Sequence, residues 1–283
     1  MITFLGPASA TFSYEAYKKL SEKYGTPEIG SSSTSEVMRN ESVLPSVCFY
    51  GGYGVIAMET KAQGKVVEPI ESFIDLLNKP DCPLHVLGAI KMRLHFALMA
   101  RPGMKKEKIE KVLAHPKAFG ACAGKIATNR FATMASDSNG RAAEDVAENP
   151  MFKKCAALAP RVAAEKYGLQ VLEENFEDGE AITTFFLLGS HPIRQRRKQN
   201  RALIVFRAKH KAGALVSALT PFKKAGLNLI HIHSAYTELG GYNFAIEMDI
   251  AKSEISTFNA ATKEFRKRVL KSLVFGPFGI VEG

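Results

Sequence analysis

The chain is 283 residues long, 46% hydrophobic and 23% charged, which is apolar enough to bury the cores of two or three domains and excludes a disordered polymer. No apolar run reaches bilayer-spanning length and the opening residues carry no basic leader, so neither membrane association nor a signal peptide is expected and the cytoplasm is the expected compartment. A formal net charge of +10 asks for an acidic partner, either nucleic acid or a small polyanion.

Ile2-Thr3-Phe4-Leu5 reads as a short buried strand, residues 6–11 as a small-residue turn, and Phe12 to Lys23 as a helix. The free N–H groups at such a helix start suit an anion. Tyr53 to Met58 reads as a strand ending at Glu59-Thr60-Lys61, and Leu84 to Leu98 as one or two strands. Lys106 to Leu113 reads as a short helix, with another after His115-Pro116. Phe131 to Ser136 leads into Asp137-Ser138-Asn139-Gly140, with a helix from Arg141 to Glu148. Cys155 to Leu158 is a strand and Pro160 to Tyr167 a helix. Strands alternating with helices imply α/β lobes with mostly parallel sheets, whose ligands sit at the carboxyl ends of strands. Each turn, at residues 8–11, 59–61 and 137–140, is explained by helix capping when taken alone; the three together point to a polar cleft.

From Arg201 the pattern changes. Strands at Ala202–Phe206, Leu229–Tyr236, Tyr242–Met248 and Leu273–Val281, with helices at Gly213–Ala225 and about Ser256–Lys271, spell β-α-β-β-α-β, a ferredoxin-like order. The middle two strands join around Gly240-Gly241. Arg194, Arg196, Arg197, Lys198 and Arg201, followed by Arg207, Lys209 and Lys211, have no aromatic ladder beside them and read as a solvated linker, so nucleic acid is not the expected partner. Cys48, Cys82, Cys122 and Cys155 are widely separated and are expected to be ordinary reduced thiols. His231 and His233 share a strand face, but nothing nearby completes a metal site; no metal and no cofactor are expected.

These residues resemble the prephenate dehydratase family with a C-terminal ACT domain. Gly6-Pro7-Ala8-Ser9-Ala10-Thr11-Phe12-Ser13 is similar to Gly-Pro-x-Gly-Thr-Phe-Ser, one residue longer. Tyr53 to Lys61 is similar to Tyr-Gly-Val-Val-Pro-Ile-Glu-Asn-Ser, with Gly64 and Val66 beyond it. His115-Pro116-Lys117-Ala118 resembles His-Pro-Gln-Ala, followed by Cys122, and Tyr167-Gly168-Leu169 matches a Tyr-Gly-Leu. Counted back from a Leu-Gly, Thr183-Thr184-Phe185 takes the place of the catalytic Thr-Arg-Phe. Gly213-Ala214-Leu215 and Asn228-Leu229 resemble the regulatory domain.

The resemblance implies an α/β, two-lobed, periplasmic-binding-protein-like catalytic region over 1–190. Lobe 1 spans about 1–78 and 170–190, and lobe 2 about 79–169; a basic linker at 191–200 and an ACT-like domain over 201–283 follow. It implies decarboxylation and dehydration of prephenate, or a similar small dicarboxylate, to phenylpyruvate, with Thr183 as the proton donor. Ala10, Thr11, Glu59, Thr60, Lys61, Ser138, Asn139, Gly140, Thr184 and Phe185 are the implied substrate-binding residues, and Lys61 is a candidate to replace the missing Arg. Thr184 for Arg, Thr60 for Asn, Lys61 for Ser and Ala10 for Gly depart from the pattern. The departures keep open a prephenate decarboxylase giving a dihydro-4-hydroxyphenylpyruvate, and a non-catalytic small-molecule sensor. Gly213, Ala214, Leu215, Asn228, His233 and Ser234 form a degenerate regulatory set: Ala235 and Tyr236 break its Glu-Ser-Arg-Pro, so weak or absent phenylalanine inhibition is expected. A homodimer or homotetramer through this domain is also expected.

Overall fold

The computed structural model describes residues 1–7, 9–28, 33–61, 64–79, 81–194, 198–236, 241–250 and 255–283; Ala8, Arg196, Arg197 and Gly240, named above, lie outside them. The first lobe contains β1 (Ile2–Leu5), α1 (Phe12–Tyr24), β2 (Thr34–Val37), α2 (Val43–Tyr50), β3 (Tyr53–Thr60), β4 (Gly64–Lys65), α3 (Val67–Asp75) and β5 (His85–Arg93). The second contains β6 (Ala97–Ala100), β7 (Lys111–Ala114), α4 (Pro116–Ala121), α5 (Ala123–Thr128), β8 (Ala132–Ala135), α6 (Asn139–Glu148), β9 (Cys155–Ala159), α7 (Arg161–Tyr167) and β10 (Gln170–Glu173). β11 (Ile182–Gly189) then returns to the first lobe. β12 (Arg201–Arg207), α8 (Ala214–Lys224), β13 (Asn228–Tyr236), β14 (Tyr242–Asp249), α9 (Ile255–Arg266), β15 (Lys271–Phe278) and β16 (Ile280–Glu282) follow.

The first sheet runs β16-β5-β11-β3-β1-β2, with β4 beside β3; the second runs β10-β6-β9-β7-β8. The third, β13-β14-β12-β15, is antiparallel throughout, as a ferredoxin-like order requires. Alternation along β11 divides two cores. Phe185 and Leu187 face the core that includes α1, whereas Phe186 and Leu188 share a core with Leu203, Val205, Ala245 and Phe275 of the third sheet. The ferredoxin-like sheet is therefore covered on both faces: by α8 and α9 on one side, and by the first lobe on the other. Tyr24 pins the end of the chain to this lobe. Its ring lies over Gly88, where any Cβ would overlap it, and its hydroxyl donates to the Gly279 carbonyl at 2.6 Å. Among the described residues, no helix is long and apolar enough to cross a membrane.

Several sequence expectations are corrected. The division between lobes falls after Arg93 rather than at 79, because β5 pairs with β11 along its length. Residues 170–173 join the second sheet through β6, not the first. Only Lys106–Lys108 of the expected 106–113 helix is helical, as a single 3-10 turn: Ile109, Val112 and Leu113 have helical spacing, but Lys111–Ala114 is the strand between β8 and β9. The last helix stops at Arg266, short of 271, and the closing strand is two strands, of which β16 pairs with β5 of the first lobe. Cys48 and Cys82 form a disulfide with Cα atoms 5.0 Å apart; tertiary folding of α2 against the loop after α3 joins thiols that sequence distance keeps apart. Cys122 and Cys155 are free and buried.

Candidate active site

The lobes meet at two crossing segments, tied by Leu94 N–H to Ala181 O and Phe176 N–H to Phe96 O, both 2.7 Å. Beside them lies a cavity of about 540 Å³, of a size that suits a small organic substrate. Its walls come from the carboxyl ends of parallel strands in both sheets. Residues 38–41 follow β2, Thr60 ends β3, residues 115–118 follow β7 and residues 136–139 follow β8. Thr183 and Phe185 of β11 form its floor.

Two helix starts face one another here. Thr11 caps α1, its Oγ1 accepting from Tyr14 N–H at 3.2 Å, and Ser138 caps α6, its Oγ accepting from Arg141 N–H at 3.0 Å. The approach is close because Gly140 has no side chain: a Cβ there would stand 2.7 Å from the Ala10 carbonyl oxygen. Asn139 Oδ1 accepts from the His115 N–H at 2.9 Å, fixing the β7–α4 turn to the α6 start. Asn40 acts as a piece of strand: its Nδ2 donates to Ala57 O at 2.8 Å and its Oδ1 accepts from Ala57 N–H at 3.0 Å. This holds Arg39 and Glu41 at the rim.

Thr183 pairs directly with Thr60 across β11 and β3, so both side chains point to the cavity. Thr183 is 5% exposed, and the buried Thr60 Oγ1 and Ser136 Oγ have no hydrogen-bond partner among the described residues. Buried hydroxyls without partners cost free energy unless a ligand or water completes them. Charge of both signs faces the space. Burial holds the His115 imidazole below the ordinary histidine range, assisted by Lys117 and opposed by Glu68, Asp137 and Glu41. Burial likewise lowers Lys117, with Glu68 and Glu41 opposing it.

Of the residues expected from sequence, Thr11, Thr60, Ser138, Asn139, Thr183 and Phe185 line the cavity, whereas Ala10, Glu59, Lys61, Gly140 and Thr184 do not. Ala10 and Gly140 are the packed contact beneath the helix starts. Lys61 points to solvent and pairs with Glu180 at 2.5 Å, so it does not stand in for the missing Arg. Glu59 turns to Lys65 at 2.8 Å. Thr184 follows strand alternation onto the face away from Thr183 and Phe185. Arg39, Asn40, Glu41, Glu68, His115, Lys117, Ser136 and Asp137 line the cavity without having been singled out as site residues. The His-Pro-Lys-Ala run was a usable signal for two of them. Residues 39–41 follow β2, an edge strand whose Thr-Ser-Glu-Val sequence has no apolar pattern to reveal it. The regulatory set does not converge within one chain. Ala214 and Leu215 border a separate cavity of about 270 Å³ with Lys209, His210, Lys211 and Tyr242, and Gly213 caps α8 beside them. Asn228, His233 and Ser234 lie along β13, where His233 faces Glu71 of α3 at 3.8 Å. Among the described residues, no cluster of three His, Cys, Asp or Glu is arranged to hold a metal.

Residues 2–193 match the family model described as prephenate dehydratase. The chain belongs to this family. A prephenate dehydratase of Methanocaldococcus jannaschii is 29% identical over 209 residues, 72% of this chain and 74% of that one. Arogenate dehydratase 1 of Petunia hybrida is 34% identical over 155 residues, 53% of this chain, and the match spans only 36% of the plant protein. The fold of the family extends beyond the matched segment. Prephenate dehydratase from Arthrobacter aurescens, solved in complex with L-Phe, superposes with a TM-score of 0.80 at 22% identity, covering 97% of this chain and 88% of that one. A protein described as GqqA, a novel type of quorum quenching acylase, superposes with a TM-score of 0.77 at 21% identity over 99% of this chain and 97% of its own. The architecture alone thus does not select a reaction; residues in the cleft must.

Proposed function

We propose that the cleft binds prephenate and converts it to phenylpyruvate, carbon dioxide and water, as a prephenate dehydratase. The observation that carries this reading is the Thr183–Thr60 pair, two hydroxyls side by side on the cavity floor, one of them without a hydrogen-bond partner among the described residues. The reaction consumes one proton. The bond between ring and carboxylate breaks and its electron pair enters the ring, while the C–O bond breaks and the hydroxyl takes the proton to leave as water. Aromatisation drives both, so the protein has to orient the ring and stabilise the departing oxygen, the task assigned to the Thr183 hydroxyl. The facing starts of α1 and α6 supply a field that favours the substrate's negative charge.

The decarboxylase alternative rests on Thr184 in place of Arg together with the changed residues Thr60 and Lys61. Thr184 and Lys61 are turned away from the cavity, and Thr60 keeps a hydroxyl in its lining, which supports dehydration over decarboxylation alone. A second reading is favoured by Glu41 and Glu68: two carboxylates in the cleft suit a substrate bearing an ammonium group, as the amino-acid counterpart arogenate does. The unpaired outer edge of β13, with exposed Leu229, Ile230 and Ile232, supports association of subunits through the ACT-like domain.

The test is incubation of the purified chain with prephenate and, separately, with arogenate, following product absorbance and mass. Thr183→Ala is expected to lower kcat about 100- to 1000-fold, as loss of one donor to a developing oxyanion does, with Thr183→Ser retaining most activity. An unchanged rate in Thr183→Ala overturns the donor assignment. Carbon dioxide release with the ring hydroxyl retained overturns dehydration.

A further inference from the structure

We propose that Lys117, on the second lobe, is the residue that grips the substrate's side-chain carboxylate across the cleft and so sets its affinity. The inference rests on the reading of the cavity as a prephenate or arogenate site and names a contact within it. With Lys61 turned to the surface and paired with Glu180, the cavity holds few cations. Arg39 and Lys117 are the lysine and arginine side chains among its described lining residues. Arg39 is exposed at the rim, whereas Lys117 is half-buried and follows the carboxyl end of β7, an interior strand of the second sheet between β9 and β8. Its backbone is fixed at both ends of a short path. The Lys117 N–H donates to His115 Nδ1 at 3.3 Å, and the His115 N–H is held by Asn139. The four-carbon stem therefore starts from a rigid turn, which limits the entropy lost when the ammonium binds.

The charges around it fit this role. His115 stands on the same turn, Asp137 on the β8–α6 turn, Glu68 on α3, and Glu41 with Arg39 on the turn after β2. Glu68 and Glu41 belong to the first lobe, so in the empty cleft they face Lys117 from the opposite wall and oppose the loss of its charge. A carboxylate entering between the walls replaces them as its counter-ion. Where the substrate also carries an α-ammonium, Glu68 and Glu41 are freed to receive it, and the two walls together read a zwitterion. Burial at the same time eases deprotonation, which gives the contact a pH signature.

The experiment compares wild type, Lys117→Gln and Lys117→Arg, with circular dichroism confirming the fold. Steady-state kinetics on prephenate are paired with calorimetric binding of phenylpyruvate, which carries the same side-chain carboxylate. Lys117→Gln is expected to raise KM and the phenylpyruvate Kd about 10- to 100-fold with kcat within about threefold, the loss of a charge-assisted hydrogen bond made alike in ground and transition states. Lys117→Arg recovers most of the affinity. In the wild type KM climbs as pH rises through the Lys117 titration; this alkaline limb moves to higher pH in Lys117→Arg and is absent in Lys117→Gln. Unchanged KM and Kd in Lys117→Gln, a fall in kcat without a change in KM, or no binding of phenylpyruvate by the wild type would each overturn the assignment. A wild type that binds phenylpyruvate through Lys117 yet turns over neither prephenate nor arogenate keeps this inference and sinks the proposed reaction instead.

Discussion

Replacing Glu247 by Gln should detach the ferredoxin-like domain from the first lobe more than any exposed charge change. Glu247 on β14 is 6% exposed in its side chain and lies 2.5 Å from the Lys65 ammonium of β4, itself 12% exposed. Its other oxygen is 3.7 Å from Arg201 Nε. Glutamine keeps the shape and removes the charge, leaving Lys65 with the Glu59 carboxylate, whose side chain is 42% exposed. Breaking one partner out of a buried pair costs about 3–5 kcal/mol, and the remaining Glu59 contact places this case near the lower end, at about 3 kcal/mol. For a chain of 283 residues unfolding as one unit, an entropy of roughly 0.6 kcal/mol/K converts that into about 5 °C in Tm. Differential scanning calorimetry reads it directly, with Glu59→Gln as control and an expected change of about 1 °C, since exposed ion pairs contribute about 0.2–1 kcal/mol. If Glu247→Gln melts within 1 °C of the wild type, the pair is not sealed between the domains and the docking described above is wrong.

The remaining predictions concern other parts of the molecule. His85, His115 and His231 are all held below the ordinary value of 6.5, chiefly by burial. The unfolded chain therefore takes up these protons first, so stability present above pH 6.5 is lost as pH falls toward the folded-state values; Tm should drop between pH 7.5 and 5.5, and His115→Gln should flatten part of that slope. Alkylation followed by mass spectrometry should modify neither Cys122 nor Cys155 in the native protein at pH 8. Burial pushes the Cys122 thiol up to about 12, and Cys155 is raised by the same cause. Modification of all four cysteines should require reduction of Cys48–Cys82 as well as unfolding. Thr184→Val should leave kcat within about twofold, in contrast to Thr183→Ala, because strand alternation turns position 184 from the cavity; a large loss would mean that the two faces of β11 have been exchanged.

Local pattern made much of this protein readable without coordinates. The strand–turn–helix units around Thr11 and Ser138 are specified by neighbouring residues: a hydroxyl that caps, a small-residue turn, and apolar spacing that changes period from two to 3.6. The β-α-β-β-α-β order after Arg201 was legible for the same reason, since short connections leave few ways to arrange the elements. Failures came where one signal served two states, as at Ile109, Val112 and Leu113, or where a strand had no apolar pattern, as at Thr34–Val37.

Sequence by itself determined the elements with a clear apolar period or cap, and that small polar turns gather at the ends of strands. Tertiary structure decided which turns share a space and which way each side chain points. β5 pairs with β11 and β16, segments far away in the chain, and that pairing sets the boundary between lobes. A single step along β11 separates Thr183 in the cavity from Thr184 behind it, and the end of β3 sends Lys61 to solvent while Lys117 and Glu68 face the cavity from opposite walls. The reason is physical: capping and periodicity act over a few residues, whereas the cleft is made by burial and charge between segments that only folding brings within reach.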